Sequence, residues 1–472
     1  MKKIACKIIG VLLMLFLLQP NVYGIANMNY TLSDEGKRVM TPLCYSCDKV
    51  IDYLGENVGS FSDASDIFID EKDNIYITDT TRNRIIKLDK NGTFLREFTN
   101  GGNLNGPQGV FVCNNEDIFI ADTNNKRIVH IDKDDKEIES FGKPDTEVLS
   151  DDSDFMVNRL AVSDQGLIYV IQSQKFMAID SKNEFKGFIG ANKVAFNLKE
   201  FFIRTFGSDI QKEKMNYSQA ASYNSFEIGN DGLIYAVAND DKNQIQVLNM
   251  SGENLFPEEV YGESLIEDST TSADKSLFVD ICVDDNGIIY TLDRNGGRIY
   301  VYTSEGDQLV VFGGLGDVRG EFKLPVALDC NSKGEIFVLD SSSASIHKFT
   351  PTSYMNDLKN AYILFRDGEY DKALDVCNSA FSVNNNSYFI NTLIGRIEYK
   401  KENYNSAMDY FKKAGNREQY AKAFSESRHN VFRNYFVWII AAIAVVLVVV
   451  FLAIMMLRKK AKKILDDYYS GG

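Results

Sequence analysis

Ile75-Tyr76-Ile77-Thr78-Asp79 and its near-copy Ile118-Phe119-Ile120-Ala121-Asp122 decide how this chain is read. The pattern returns at Ile168–Gln172, Ile234–Ala238, Ile289–Asp293 and Ile336–Asp340, giving six copies at intervals of 43, 50, 66, 55 and 47 residues. Near-continuous apolar character in such a short run describes a strand covered on both faces. A period of this length with several strands per unit marks a radial ring of small sheets, a β-propeller, and not a helical solenoid. The sequence therefore predicts a mainly β protein with a six-bladed β-propeller over residues 49–350, followed by an α-helical C-terminal part.

Each copy sits in the same grammar. In the first unit the strands are Asp66–Asp70, Ile75–Asp79, Arg84–Asp89 and Phe94–Phe98, joined by Asn-, Asp- and Gly-rich turns. Tight hairpins need residues that tolerate positive φ, and these supply them. Asp89-Lys90-Asn91-Gly92 and Asp284-Asp285-Asn286-Gly287 resemble fragments of calcium loops but fit such turns. The sixth unit stops after three strands at Thr350-Pro351, while Val50–Leu54 upstream resembles a fourth strand. The N-terminal strand is thus expected to complete the last blade, which removes an open edge that would otherwise recruit other chains.

Three stretches carry a family resemblance: Asp79-Thr80-Thr81-Arg82-Asn83-Arg84-Ile85, Asp122-Thr123-Asn124-Asn125-Lys126-Arg127-Ile128 and Gly106-Pro107-Gln108-Gly109-Val110. They look like NHL repeats, and the likeness spans roughly residues 50–350. Unit five keeps Asp293 and Arg298, unit six keeps Asp340, and units three and four lack both the Asp and the Arg. Asp79, Asp122, Asp293 and Asp340 recur at equivalent places, which points to a structural task such as accepting backbone N–H bonds in the following turn. The other reading is a carboxylate surface for a cation such as Ca²⁺, which takes oxygen ligands. No other cofactor is predicted.

Residues 1–26 read as a secretory signal: Lys2 and Lys3, an apolar run from Ile8 to Leu18, then small residues before Ala26. Residues 27–48 form a short N-terminal segment. The insertion 191–221 between units three and four has apolar spacing that suggests a short helix on one face of the ring. Beyond Pro351, Ala373, Cys377 and Ala380 are matched 34 residues later by Ala407, Phe411 and Ala414. That interval is TPR-like and predicts helical hairpins over 354–432. Tyr435–Leu457 holds 23 residues without a charge, enough for a single transmembrane helix. Five cations between Arg458 and Lys463 begin a basic tail, 458–472, that the positive-inside rule keeps cytoplasmic. The domains from 27 to 434 are then expected outside the cell membrane.

The chain carries a formal net charge of −15, and removing the three leader lysines and the net positive tail leaves about −21 outside. Nucleic acid is excluded as a partner on that ground. Only His130, His347 and His429 are present, the first two in different blades, so no histidine-based catalytic or metal site is expected. Cys44 and Cys47 are the close pair that leaves a disulfide open, whereas Cys113, Cys282, Cys330 and Cys377 look like small core residues. No catalytic residue is assigned.

The whole order, signal, NHL ring, short TPR-like part and C-terminal span, is similar to a group of Gram-positive bacterial membrane proteins associated with carbohydrate ABC transport systems. The resemblance implies a binding or scaffold protein with protein partners, transporter permease subunits among them. Some six-bladed relatives are gluconolactonase-like or lyase-like enzymes with a divalent metal on the ring axis, and no such constellation is legible in this sequence. An enzyme should show three or four carboxylates or amides converging on the axis, and a scaffold an axis lined by uncharged or unpaired groups.

Overall fold

A computed structural model describes residues 29–470 apart from 34–35, 57, 147–148, 150–153, 191–221, 241 and 264–274. The signal segment and the insertion 191–221 lie outside the described residues. The chain divides after Asn384 into two compact units.

The first unit opens with a hairpin, β1 (Tyr30–Leu32) and β2 (Arg38–Met40), and then β3 (Tyr45–Ile51). Blade 1 is β4 (Ala64–Ile69), β5 (Ile75–Asp79), β6 (Arg84–Leu88) and β7 (Phe94–Phe98). Blade 2 is β8 (Gly109–Val112), β9 (Ile118–Asp122), β10 (Arg127–Ile131) and β11 (Glu137–Phe141). Blade 3 is β12 (Val157–Val162), β13 (Ile168–Gln172), β14 (Lys175–Ile179) and β15 (Phe185–Phe188). Blade 4 has β16 (Tyr223–Ile228), β17 (Ile234–Ala238) and β18 (Ile245–Leu248), with a single bridge from Leu248 to Asn254 where a fourth strand would run. Blade 5 is β19 (Phe278–Val283), β20 (Ile289–Asp293), β21 (Arg298–Tyr302) and β22 (Gln308–Gly313). Blade 6 is β23 (Pro325–Cys330), β24 (Ile336–Asp340) and β25 (Ser345–Pro351).

All six Ile-aromatic runs are second strands of blades, and every residue in them is buried. The two units without the Asp and Arg signature form blades like the others, because the strand pattern and not the signature buries the chain. The core lies between the blades. Ile67, Ile77 and Ile86 of blade 1 pack on Phe337, Leu339 and Ile346 of blade 6, and Tyr76, Ile85 and Phe98 pack on Ile118, Ile120 and Val129 of blade 2. Burying each such aliphatic side chain stabilises by about 1.5–3 kcal/mol, so the ring is held by its wedges.

Blade 6 is completed by β3, which pairs antiparallel with β25 from Ile51↔Ile346 to Tyr45↔Pro351. The closing strand lies five residues upstream of the expected Val50 start, at Tyr45, because Tyr45 is fully buried and stacks on Phe312 at 4.6 Å. The hairpin β1–β2 was not anticipated: it extends the outer edge of blade 5 through Tyr30↔Val311. Its anchor is Glu263, which accepts bonds from Tyr30 Oη and Tyr300 Oη and pairs with Arg38 Nε at 2.8 Å and Arg298 at 2.6 Å.

Two helices close the first unit, α1 (Ser353–Arg366), capped by Thr352, and α2 (Tyr370–Val383). α1 is fixed to the turns of blades 5 and 6. Lys359 Nζ reaches Asp284 Oδ2 at 3.2 Å and Tyr290 Oη at 3.0 Å in a buried network, and Arg366 donates to Asn286 O at 2.6 Å. Ala373, Cys377 and Ala380 form the buried stripe of α2.

The second unit has α3 (Tyr388–Lys400), α4 (Tyr404–Ala414) and α5 (Arg417–Ser470). α3 packs on α4 and α4 on α5. A Cβ at Gly395 would come within 2.6 Å of the Phe411 ring, so glycine is what lets α3 and α4 approach. α5 is one helix of 54 residues, with no break between the helical region and the apolar segment. It is long and apolar enough to cross a membrane, and none of its most apolar stretch is buried against protein.

Candidate functional site

The inner strands follow one another round the ring in the order β4, β8, β12, β16, β19, β23 and back to β4. Each has one edge without a ladder partner, so its N–H groups need acceptors from elsewhere. In four of the six the acceptor is a carboxylate on the preceding blade. Asp66 of blade 1 accepts from Val110 N at 3.0 Å in blade 2. Glu227 of blade 4 accepts from Val283 N at 2.9 Å in blade 5. Asp280 of blade 5 accepts from Leu328 N at 2.8 Å in blade 6. Asp329 of blade 6 accepts from Ile69 N at 2.6 Å in blade 1, across the closure.

Arg159, on the inner strand of blade 3, is the guanidinium among them. It donates to Ser65 O, Gln108 O and Asn158 O at 3.0–3.1 Å, lies 3.3 Å from Ser225 Oγ, and pairs with Asp66 at 3.6 Å. One side chain thereby ties blades 1 to 4 together near the axis. A cavity of about 630 Å³ opens from this level to the face where the inner strands end. Its walls carry eleven carboxylates against two cations, Arg159 and Lys72, and Lys72 is held by Glu116. Phe68 and Phe111, with ring centroids 5.2 Å apart, and Phe226 supply apolar wall. No histidine lines the cavity among the described residues.

Four acids so placed are hard to ionise together. Burial pushes Asp66 up to about 7, with Arg159 offsetting part of the effect. Burial raises Asp280 as well, again partly offset by Arg159. Glu227 and Asp329 are raised well above the usual carboxylate range, first by burial and then by neighbouring carboxylates. Such shifts are characteristic of functional sites and of buried structural networks alike.

The repeat pattern does not single out Asp66, Arg159, Glu227, Asp280 or Asp329. A signal existed: each is the one charged residue of its inner strand. The axis therefore carries the converging carboxylates expected of an enzyme and not the uncharged or unpaired groups expected of a scaffold. The reason is that the carboxylates serve the open edges of the inner strands, a task independent of catalysis.

The repeated aspartates sit elsewhere, one each in blades 1, 2, 5 and 6, at the end of the second strand. Asp79 accepts from Ser62 N at 2.8 Å and Arg84 Nε at 2.8 Å. Asp122 accepts from Asn105 N at 2.7 Å and Arg127 Nε at 2.8 Å. Asp293 accepts from Leu277 N at 2.8 Å and Asn295 N at 3.0 Å. Asp340 accepts from Lys323 N at 2.6 Å and Leu324 N at 3.1 Å, with Ser342 N and Ser343 N beside them. The principal donors belong to the segment entering the inner strand of the same blade, more than to the turn that follows. Antiparallel pairing explains this, since the end of the second strand lies beside the start of the first. The four do not share a site. Arg298 departs from Arg84 and Arg127 by turning to Glu263.

Cys44 and Cys47 are free thiols. Cys44 Sγ points to Pro42 O at 3.4 Å and Cys47 Sγ to Lys49 O at 3.6 Å. The disulfide left open by the sequence does not form, because three extended residues separate Cα atoms by roughly 10 Å, beyond disulfide reach. The turn residues Asp89 and Asp284 each bond two backbone N–H groups within their own hairpin, as fits turns.

A family model described as NHL repeat matches residues 104–131, within the second blade. No curated protein matches the chain. Among solved structures, the chain is similar to a streptogramin B lyase structure, at 15% identity and a TM-score of 0.40, over 68% of this chain and 86% of that one. It is also similar to catalytically inactive virginiamycin B lyase from Staphylococcus aureus with quinupristin, at 17% identity and a TM-score of 0.42, over 70% and 97%. The WD40 β-propeller domain of Doa1 follows at 11% identity and a TM-score of 0.38, over 66% and 98%.

Proposed function

We propose that this chain is a membrane-anchored binding and scaffold protein whose propeller stands outside the cytoplasm. The observation that carries the reading is the axial cavity: an acidic, partly aromatic funnel of about 630 Å³, without histidine among its described lining residues, in a ring fixed by its own carboxylates. Such a funnel suits a cationic or protein ligand and repels polyanions. Helix α5 supplies the anchor through Tyr435–Leu457, with Trp438 and Tyr435 at one interface and the Arg458–Lys463 cations at the other. The TPR-like helices couple the ring to that span, and permease subunits of a carbohydrate ABC transporter are the partners the overall layout suggests.

The test is affinity purification of the full chain from membranes after in-cell crosslinking. Recovery of a permease subunit in stoichiometric amount supports the reading. A purified chain with no companion and with metal-dependent lactonase or lyase turnover replaces it with the second reading, a tethered gluconolactonase-like or lyase-like enzyme. That second reading draws on one observation, the convergence of Asp66, Glu227, Asp280 and Asp329 around one cavity.

A further inference from the structure

Two of the scattered cysteines meet on the funnel wall. Cys282 lies on β19 and points, like Asp280 two residues before it, toward blade 6. Cys330 ends β23, and the two thiols approach each other across the groove between blades 5 and 6. With a carboxylate oxygen of Asp329, the three donor atoms lie within 4.8 Å of one another. Cys282 is 1% exposed and both thiols border the cavity, so the cluster is built into the ring yet open to the funnel. Tetrahedral Zn–S bonds of about 2.3 Å place donor atoms roughly 3.8 Å apart, within the 4.8 Å that encloses these three donors.

A second observation points the same way. Glu227 stands on the neighbouring inner strand, where its Oε2 accepts at 2.9 Å from the N–H of Val283, the residue next to Cys282, and Glu227, Cys282, Asp329 and Cys330 all line the same cavity. The four buried acids of this level, Asp66, Glu227, Asp280 and Asp329, outnumber Arg159 and the Arg294 that also faces Asp280, an excess that a bound cation would neutralise. The sulfur content of the cluster decides which cation, since Ca²⁺ and Mg²⁺ take oxygen ligands while paired thiolates select Zn²⁺.

We propose that Cys282, Cys330 and Asp329, with Glu227 as fourth ligand, form a site for a thiophilic divalent ion of the Zn²⁺ class, loaded through the funnel. The site would draw its ligands from the inner strands of blades 4, 5 and 6 and crosslink them. It is separate from the repeated aspartates weighed earlier for Ca²⁺.

Full-length protein, purified without air in detergent, is loaded with Co²⁺ or Zn²⁺ and dialysed. The Co²⁺ form should show thiolate-to-cobalt charge-transfer absorption with tetrahedral ligand-field bands. The Zn²⁺ form should keep about one ion per chain by elemental analysis. Cys282→Ser and Cys330→Ser should each weaken retention by about ten-fold or more, while Cys113→Ser, also on the funnel wall, should leave it unchanged. The proposal is overturned by a Co²⁺ form without charge transfer, by equal retention in the Cys282→Ser and Cys330→Ser variants, or by a Cys282–Cys330 disulfide in protein isolated without air. Should the serine variants fail to fold, the Co²⁺ spectrum of the parent chain decides alone.

Discussion

Asp79, Asp122, Asp293 and Asp340 on the second strands, and Asp66, Glu227, Asp280 and Asp329 on the first, all accept backbone N–H bonds, but they join different things. The first set works inside a blade, tying the incoming chain to its neighbour strand. The second set works between blades and joins four of the six neighbouring pairs in the ring. Their electrostatic settings also differ. Asp79 and Asp122 each hold an arginine of their own blade at 2.8 Å, whereas among the axial acids Asp66 and Asp280 share Arg159. A carboxylate with its own cation is a fixed structural part. A carboxylate without one leaves capacity for a proton, a metal or a ligand.

Both sets need the ring to be closed, so the largest effect should follow from removing residues 45–51. Without β3, β25 loses its partner and the Asp329 bond to Ile69 N has no fixed geometry. The first unit should then lose its cooperative thermal transition by circular dichroism, and a variant that still melted sharply would show closure to be dispensable. Next comes the intra-blade set. Asp79→Ala removes the acceptor of Ser62 N and one of the two carboxylates that hold Arg84, Glu97 at 2.7 Å remaining, which should cost about 1–3 kcal/mol in urea unfolding. Asp79→Asn keeps an acceptor and should cost less.

The axial set should respond with the opposite sign. Asp66 is pushed up to about 7 in the folded chain, so the folded state holds its proton more tightly than the unfolded one. Its contribution is fully favourable below the ordinary carboxylate range and is lost as pH rises toward 7. Asp66→Asn keeps an acceptor for Val110 N without the charge, so at pH 8 it should be more stable than the parent by on the order of 1–3 kcal/mol. The gain should vanish near pH 4, and a gain independent of pH would show that charge is not its cause. The smallest effect concerns Cys44 and Cys47. Denaturation without reductant followed by alkylation should label both, and reductant should leave the melting temperature unchanged, where a lost disulfide would cost about 2–4 kcal/mol.

Legibility followed the same division. Asp79 and Asp122 announce themselves because a task repeated in each blade leaves a repeated residue. Asp66 and Asp280 occupy one level of the inner strands while Glu227 and Asp329 stand two residues further on, and blade 2 has Gly109 where blade 1 has Asp66. Gly109 is needed there, since a Cβ would come within 2.9 Å of Asn158 O in blade 3. A set that changes level and residue type from blade to blade has no period to read. Cys282 and Cys330, 48 positions apart, became neighbours only when blades 5 and 6 docked.

Amino-acid order alone determined the six strands of Ile and aromatic residues, the turns between them, the borrowed strand that closes the ring and the apolar helix at the end. These follow from local periodicity and turn chemistry, which act over a few residues. Tertiary structure decided which charges face the axis, that Arg159 reaches four blades, that two distant thiols meet, and that Cys44 and Cys47 stay apart. Those outcomes depend on how whole sheets lie against one another, a geometry that no short stretch of chain encodes.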